Sequence, residues 1–364
     1  MSDSNMHMSS SAILRHPMER YSRLMDSSRI DIPTSWTRRG LVLPRPTGEN
    51  GYGVMGDPCI VWDSEISTWR MVLFADPPGH GQSICTHMTD GLPDQWSPVE
   101  PIPFTGAPRK THKPYIVQRA DQPNRAAKID GAYWLLGVMI DHHRKFIQRA
   151  RATSLAGPWT WDDAPLIPTG TRGTFDEKHT DAVTGFYFPE RNEVLYFYMG
   201  YPATMQDRPF SPWGNGQGLA IQKAGERKAW KLGEFLPPVP QPGHWAAGYF
   251  GGFQLLPGKT HRWVAVLNAS PTPPRPDDTS IAREEPAPSL GGWAWCDEPW
   301  PIRNWHLAPQ PIEWIDQVSA DALANGEGTN LWRQHALILP DGRIALYYNS
   351  GYYGKEQLYL KIGS

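Results

Sequence analysis

Cysteine is nearly absent from this chain. Its 364 residues include three, Cys59, Cys85 and Cys296, far apart and without a CxxC pair. That excludes a disulfide framework and a structural zinc site, and leaves reduced core thiols. An excess of charge of one sign is missing too: 35 Lys and Arg stand against 37 Asp and Glu, for a formal net charge of −2. No basic field exists to hold a nucleic acid backbone or an anionic membrane, and neither is expected as a partner. No segment approaches the roughly 18 apolar residues that span a bilayer. The opening stretch MSDSNMHMSSSAILRHPMER lacks the continuous apolar core of a signal peptide, so a soluble, cytoplasmic protein is expected. Helix signals are scarce as well, confined to HPMERYSRLMDSS near the N-terminus and WIDQVSADALANG at 314–326.

What the chain does have is aromatic residues and turns. The 17 Trp, 14 Tyr and 11 Phe can fill a large core in one globular unit. The 37 Pro and 34 Gly break helices but suit turns between short strands. Five times a strand-like run is followed by a second run rich in aromatics: GDPCIVWD with TWRMVLFAD, HKPYIVQRA with GAYWLLGVMID, HTDAVTGFYF with EVLYFYMG, GYFGGFQLL with HRWVAVLN, and RQHALILP with RIALYYNS. A third strand follows in most units, and a Trp-bearing segment (DQWSPV, GPWTWDD, KAWKLGEF, RNWHLAP) closes several. Units recurring every roughly 55 to 85 residues read as four-stranded blades. The fold class expected is all-β, a five-bladed β-propeller over residues 41–364, preceded by a partly helical N-terminal extension over 1–40. The competing architecture is a β-sandwich, which rarely needs so many strand pairs.

GDPCIVWD at 56–63, HKPYIV at 112–117 and ATSLAGPWTW at 152–161 resemble the blade openings and a blade end of the five-bladed propeller glycosidases, the clan of families 43, 32, 68 and 117. The resemblance covers most of the chain by repeat pattern, and by motif only the first three blades. It implies a central funnel lined by the first strand of each blade. It also implies a catalytic base Asp in blade one, a second Asp that tunes the acid, a general-acid Glu from a later blade, and a carbohydrate substrate. On this sequence the base falls on Asp57. Blade two departs from the pattern, with His112 and Lys113 where relatives carry the modulating Asp.

The stretch FDEKHTDAV at 175–183 offers substitutes: Asp181 at the start of the blade-three strand and Glu177 just before it. A carboxylate facing a protonated carboxylic acid is what glycosidic cleavage requires, and crowded carboxyls raise one another's pKa. Asp176 and Glu327, in NGEGTN, are rival acids. Each of these residues also has a bland reading, as a strand-shaping, turn-capping or solvated side chain. His112, His179, His244 and His335 stand near blade starts and suit sugar hydroxyls, or serve as bonded structural histidines. Trp245 and Trp332, with Trp213 behind them, are the tryptophans expected to stack on a sugar ring; Arg333 joins the substrate-binding set. No cofactor is expected; a structural cation could sit near His335. His142 and His143 are adjacent on one strand, point to opposite faces, and make no shared metal site.

Three functions fit these residues. The first is an inverting glycoside hydrolase acting on a small or terminal glycan. The second is a phosphorylase or transferase of the same fold, with Lys113, Lys178 and Arg333 as the cations for phosphate. The third is a carbohydrate-binding propeller without catalysis, and fold alone does not choose among them.

Overall fold

The computed structural model describes residues 29–47, 53–76, 82–86, 94–106, 111–141, 144–203, 216–235, 244–247, 249–270, 289–313, 327, 331–351 and 354–364. Both expected helical segments, Trp213 and the His142–His143 pair lie outside them.

In chain order the strands are β1 (Trp36–Leu43); β2 (Val54–Asp63), β3 (Thr68–Asp76), β4 (Gln82–Thr86) and β5 (Glu100–Pro101); and β6 (Thr111–Ile116), the short β7 (Gln118–Arg119) and β8 (Lys128–Ile129), β9 (Ala132–Asp141), β10 (Arg144–Ala152) and β11 (Thr160–Trp161). There follow β12 (His179–Phe188), β13 (Glu193–Tyr201), β14 (Gly216–Lys223) and β15 (Trp230–Glu234); β16 (Tyr249–Pro257), β17 (Trp263–Ser270), β18 (Leu290–Cys296) and β19 (His306–Leu307); and β20 (Trp332–Ile338), β21 (Ile344–Ser350) and β22 (Gln357–Gly363). The described residues contain no helix, and so none long and apolar enough to cross a membrane.

Four-stranded antiparallel runs recur: β2-β3-β4-β5, β16-β17-β18-β19 and β20-β21-β22-β1 are separate sheets. A ten-stranded sheet holds two more, β6-β9-β10-β11 and β12-β13-β14-β15, joined in parallel where Lys145 of β10 pairs with His179 and where β7 pairs with Phe186 and Tyr187 of β12. The strand pairs expected from sequence are β2/β3, β6/β9, β12/β13, β16/β17 and β20/β21. Burial follows position. Every residue of β2 is buried, as suits a strand covered on both faces, whereas β1 alternates between exposed and half-buried as an outer strand should. The last sheet takes its outer strand from the other end of the chain, with Trp36 paired to Gly363. The boundary expected at residue 40 therefore falls inside a strand.

The first strands of the five runs pack in a circuit: β2 against β6, β6 against β12, β12 against β16, β16 against β20, and β20 back against β2. Each of the five carries a β-bulge at the same place, where two residues oppose one on the second strand. The leading residue of each bulge is left-handed: Asp57 (φ 53°), Lys113 (53°), Ala182 (46°), Gly252 (66°) and Arg333 (45°). Glycine takes that conformation freely; a side chain there costs about 1–3 kcal/mol. Bulges re-aim side chains and gather beside active sites. Here four of them turn a non-glycine residue out of the ladder at the same height.

Candidate functional site

The bulges set the geometry. Asp57, Lys113 and Arg333 occupy equivalent positions, while Asp181 stands one residue ahead of its own bulge, in register with His112 and Trp332. Two charged clusters result. In the first, Arg333 Nε lies 3.3 Å from Asp57 Oδ1, and the Asp57 amide donates to Asn349 Oδ1 at 3.3 Å. Asn349 crowds the strand closely: a Cβ on Gly56 would come within 2.6 Å of its Cγ, so only glycine fits before Asp57. Arg333 Nη1 is buried without a hydrogen-bond partner among the described residues.

In the second cluster the fully buried Asp181 is held by two ammonium groups, Lys113 Nζ at 2.9 Å and Lys145 Nζ at 3.1 Å, and accepts the Ala182 amide at 2.7 Å. Burial alone would raise its pKa, but Lys113 and Lys145 outweigh that and hold the carboxyl well below the usual range. His112 lies within electrostatic reach of Asp181, Lys113, Lys145 and Arg333, and so links the clusters. Burial pushes its pKa down to about 3 against the pull of Asp181, leaving a neutral ring at physiological pH. His179 is also shifted down, by burial and by Lys145 and Lys178, and its Nδ1 accepts the Lys145 amide at 3.1 Å.

Several expected residues are placed otherwise. Trp245 is fully buried, donates Nε1 to the Ala308 carbonyl at 2.6 Å and fills the space where a Cβ on Gly292 would stand; it offers no ring face to a sugar, and its stacking role is corrected to a core one. His335 is corrected in the same way. It is fully buried, its Nε2 is occupied by Ile60 and Asn124, and burial drives its pKa down to about 3. A cation beside it would find one free nitrogen, Nδ1, and there is no group of three ligating side chains among the described residues. His244 uses Nε2 on the Ala308 carbonyl and Nδ1 on the Ala246 amide, a local loop brace.

The rival acids are similarly engaged. Glu177 accepts the Gly173 amide at 2.7 Å and so caps its own loop. Asp176 is buried between Lys231 at 2.6 Å, the Tyr198 hydroxyl and Thr174. Glu327 is bound by Arg38 and the Tyr348 hydroxyl in a buried ionic group with Glu313 and Lys361. Trp332 remains partly exposed beside Arg333.

Three site residues escaped the sequence reading: Lys145, Asn349 and Glu356. Glu356 lies in GKEQ just ahead of β22, and its carbonyl accepts the Met55 amide at 2.9 Å, two residues before Asp57. An acid before a final strand carries no motif, so only its packing reveals it.

No family model matches the chain, and no curated protein does. Solved structures do. The structure of a BT0996 RGII complex aligns with TM-score 0.62 at 12% identity, over 95% of this protein and 95% of that one. A thermostable family-43 glycoside hydrolase aligns with TM-score 0.55 at 13% identity, over 88% and 91%. Zg3597, a family 117 glycoside hydrolase from Zobellia galactanivorans, aligns with TM-score 0.52 at 14% identity, over 93% and 91%. The fold is that of the β-propeller glycoside hydrolases. At these identities the likeness is distant and concerns the fold.

Proposed function

We propose that the chain is a five-bladed propeller glycoside hydrolase that cleaves a small or terminal glycan with inversion. The observation that carries this reading is the circuit of five first strands, each bulged at the same place, whose bulges carry two charged clusters, Asp57 with Arg333 and Asp181 with Lys113 and Lys145. Asp57 is the base: its carboxylate takes a proton from a water that attacks the anomeric carbon. Asp181, clamped by two lysines, is a fixed negative charge that orients Lys113 and Lys145 toward sugar hydroxyls. Trp332 supplies an apolar face beside them. Glu177 is the donor expected from sequence, although its carboxylate is engaged by Gly173.

A phosphorylase is the second reading, because Arg333 Nη1, buried and without a hydrogen-bond partner among the described residues, suits a phosphate oxygen. One experiment separates the alternatives. The protein is incubated with a panel of aryl glycosides and natural oligosaccharides, with and without phosphate. Hydrolysis predicts free reducing sugar in both arms and at least about a hundredfold less with Asp57→Asn; sugar phosphate formed only with phosphate would establish phosphorolysis, and binding without turnover would leave a lectin-like propeller.

A further inference from the structure

Glu356 is buried, with 6% of its surface exposed, and its Oε2 has no hydrogen-bond partner among the described residues. Burying a carboxyl with an open oxygen is costly unless it is neutral. Its backbone is fixed to the strand that carries Asp57 through Met55, and Asn349, from the strand before it, holds the Asp57 amide. We propose that Glu356 is the proton donor of the site, the acid partner of Asp57; this rests on the hydrolase reading above.

The environment favours the protonated form. Burial pushes the Glu356 carboxyl up to about 7; the charge of Asp57 adds to the shift, while hydrogen bonds from the backbone amides of Glu356, Gly354 and Lys355 pull the other way without cancelling it. Charged residues around it include Asp57 on β2, which acts on it electrostatically, and Lys355 beside it in sequence. Of these, Asp57 is the one whose charge acts together with burial. Two carboxyls in different surroundings, one charged and one carrying a proton, are the arrangement by which glycosidases divide acid from base.

In the step, the glycosidic C–O bond breaks while Glu356 passes its proton to the departing oxygen. Water forms the new C–O bond and gives its proton to Asp57. One water is consumed, Glu356 is left charged and Asp57 protonated, and exchange of a proton with solvent restores both.

Two readouts test this. Carbon-13 NMR of protein labelled at the Glu carboxyls, assigned with Glu356→Gln, should show one carboxyl titrating near pH 7 that moves down in Asp57→Asn. Kinetically, Glu356→Gln should lower kcat about a hundredfold on glycosides with poor leaving groups and less than about tenfold on activated aryl glycosides, and should remove the alkaline limb of the kcat/KM profile. A Glu356 resonance titrating in the ordinary carboxylate range overturns the proposal, as does a Glu356→Gln enzyme with unchanged kcat and an intact alkaline limb. If the wild-type protein cleaves nothing, the hydrolase reading falls and the donor role with it; the NMR titration still decides whether Glu356 and Asp57 are coupled. Circular dichroism and thermal melting confirm that each variant is folded.

Discussion

Asp57 and Asp181 are both buried acids on first strands, yet the chain surrounds them differently. Asp181 sits ahead of its bulge, where two lysines converge on its two oxygens. Asp57 sits within its bulge, turned out by a left-handed backbone toward one arginine at 3.3 Å, with Glu356 close enough to feel its charge. A one-residue difference in register thus separates a carboxylate fixed by cations from one with a second carboxyl, Glu356, within reach of its charge. A carboxylate held far below its usual pKa is a weak base, so we propose the base role for Asp57 and a positioning role for Asp181.

The sharpest way to break this comparison is to neutralise each acid in turn. Asp57→Asn preserves shape and should cut kcat/KM by about a hundredfold to ten-thousandfold while the fold survives. Asp181→Asn should cost about tenfold or less in kcat. Equal losses in steady-state kinetics would erase the distinction.

Stability against pH sharpens it further, because the two sides should respond with opposite sign. The Glu356 carboxyl titrates higher in the folded chain, near 7, than its ordinary value of 4.5. The wild type therefore loses stability as pH rises through that window, because the unfolded chain ionises first. Glu356→Gln should abolish this loss, worth about 3 kcal/mol between pH 4 and pH 8 in denaturant titrations. Asp181 behaves the other way: its folded pKa is lowered, so its contribution is present above the ordinary carboxylate range and is lost as pH falls below it. Asp181→Asn should destabilise by about 2 kcal/mol at pH 7 and by progressively less in acid. The smallest effect is expected at Trp332, where Trp332→Ala should raise KM several-fold, about 1 kcal/mol, with little change in kcat.

Much of the scaffold was legible in the sequence because it is written in local patterns. Alternating apolar runs bounded by Gly, Pro and Asp marked the strand pairs, and KAWKLGEF and RNWHLAP marked the outer strands β15 and β19. The pairing of β1 with β22 was not legible, since a bridge across more than three hundred residues leaves no local trace. The site was only partly legible for the same reason. Asp57 and Lys113 precede prolines at recognisable strand openings, so they stood out. Trp245 and His335 looked like sugar contacts by position, but which face of a strand or loop turns inward is decided by packing across the molecule. The charge-rich FDEKHTDAV divides among three tasks: Asp176 braces β15 through Lys231, Glu177 caps a turn, and Asp181 gathers the lysines. Composition cannot make that division.

The central claim, that Asp57 activates water for direct attack, is tested most directly by proton NMR of the first sugar anomer released from a hydrolysed glycoside, recorded before mutarotation. The account predicts the configuration opposite to that of the substrate, in line with a single displacement. A product that retains the substrate's configuration, or a glycosyl group trapped on the protein, would contradict it.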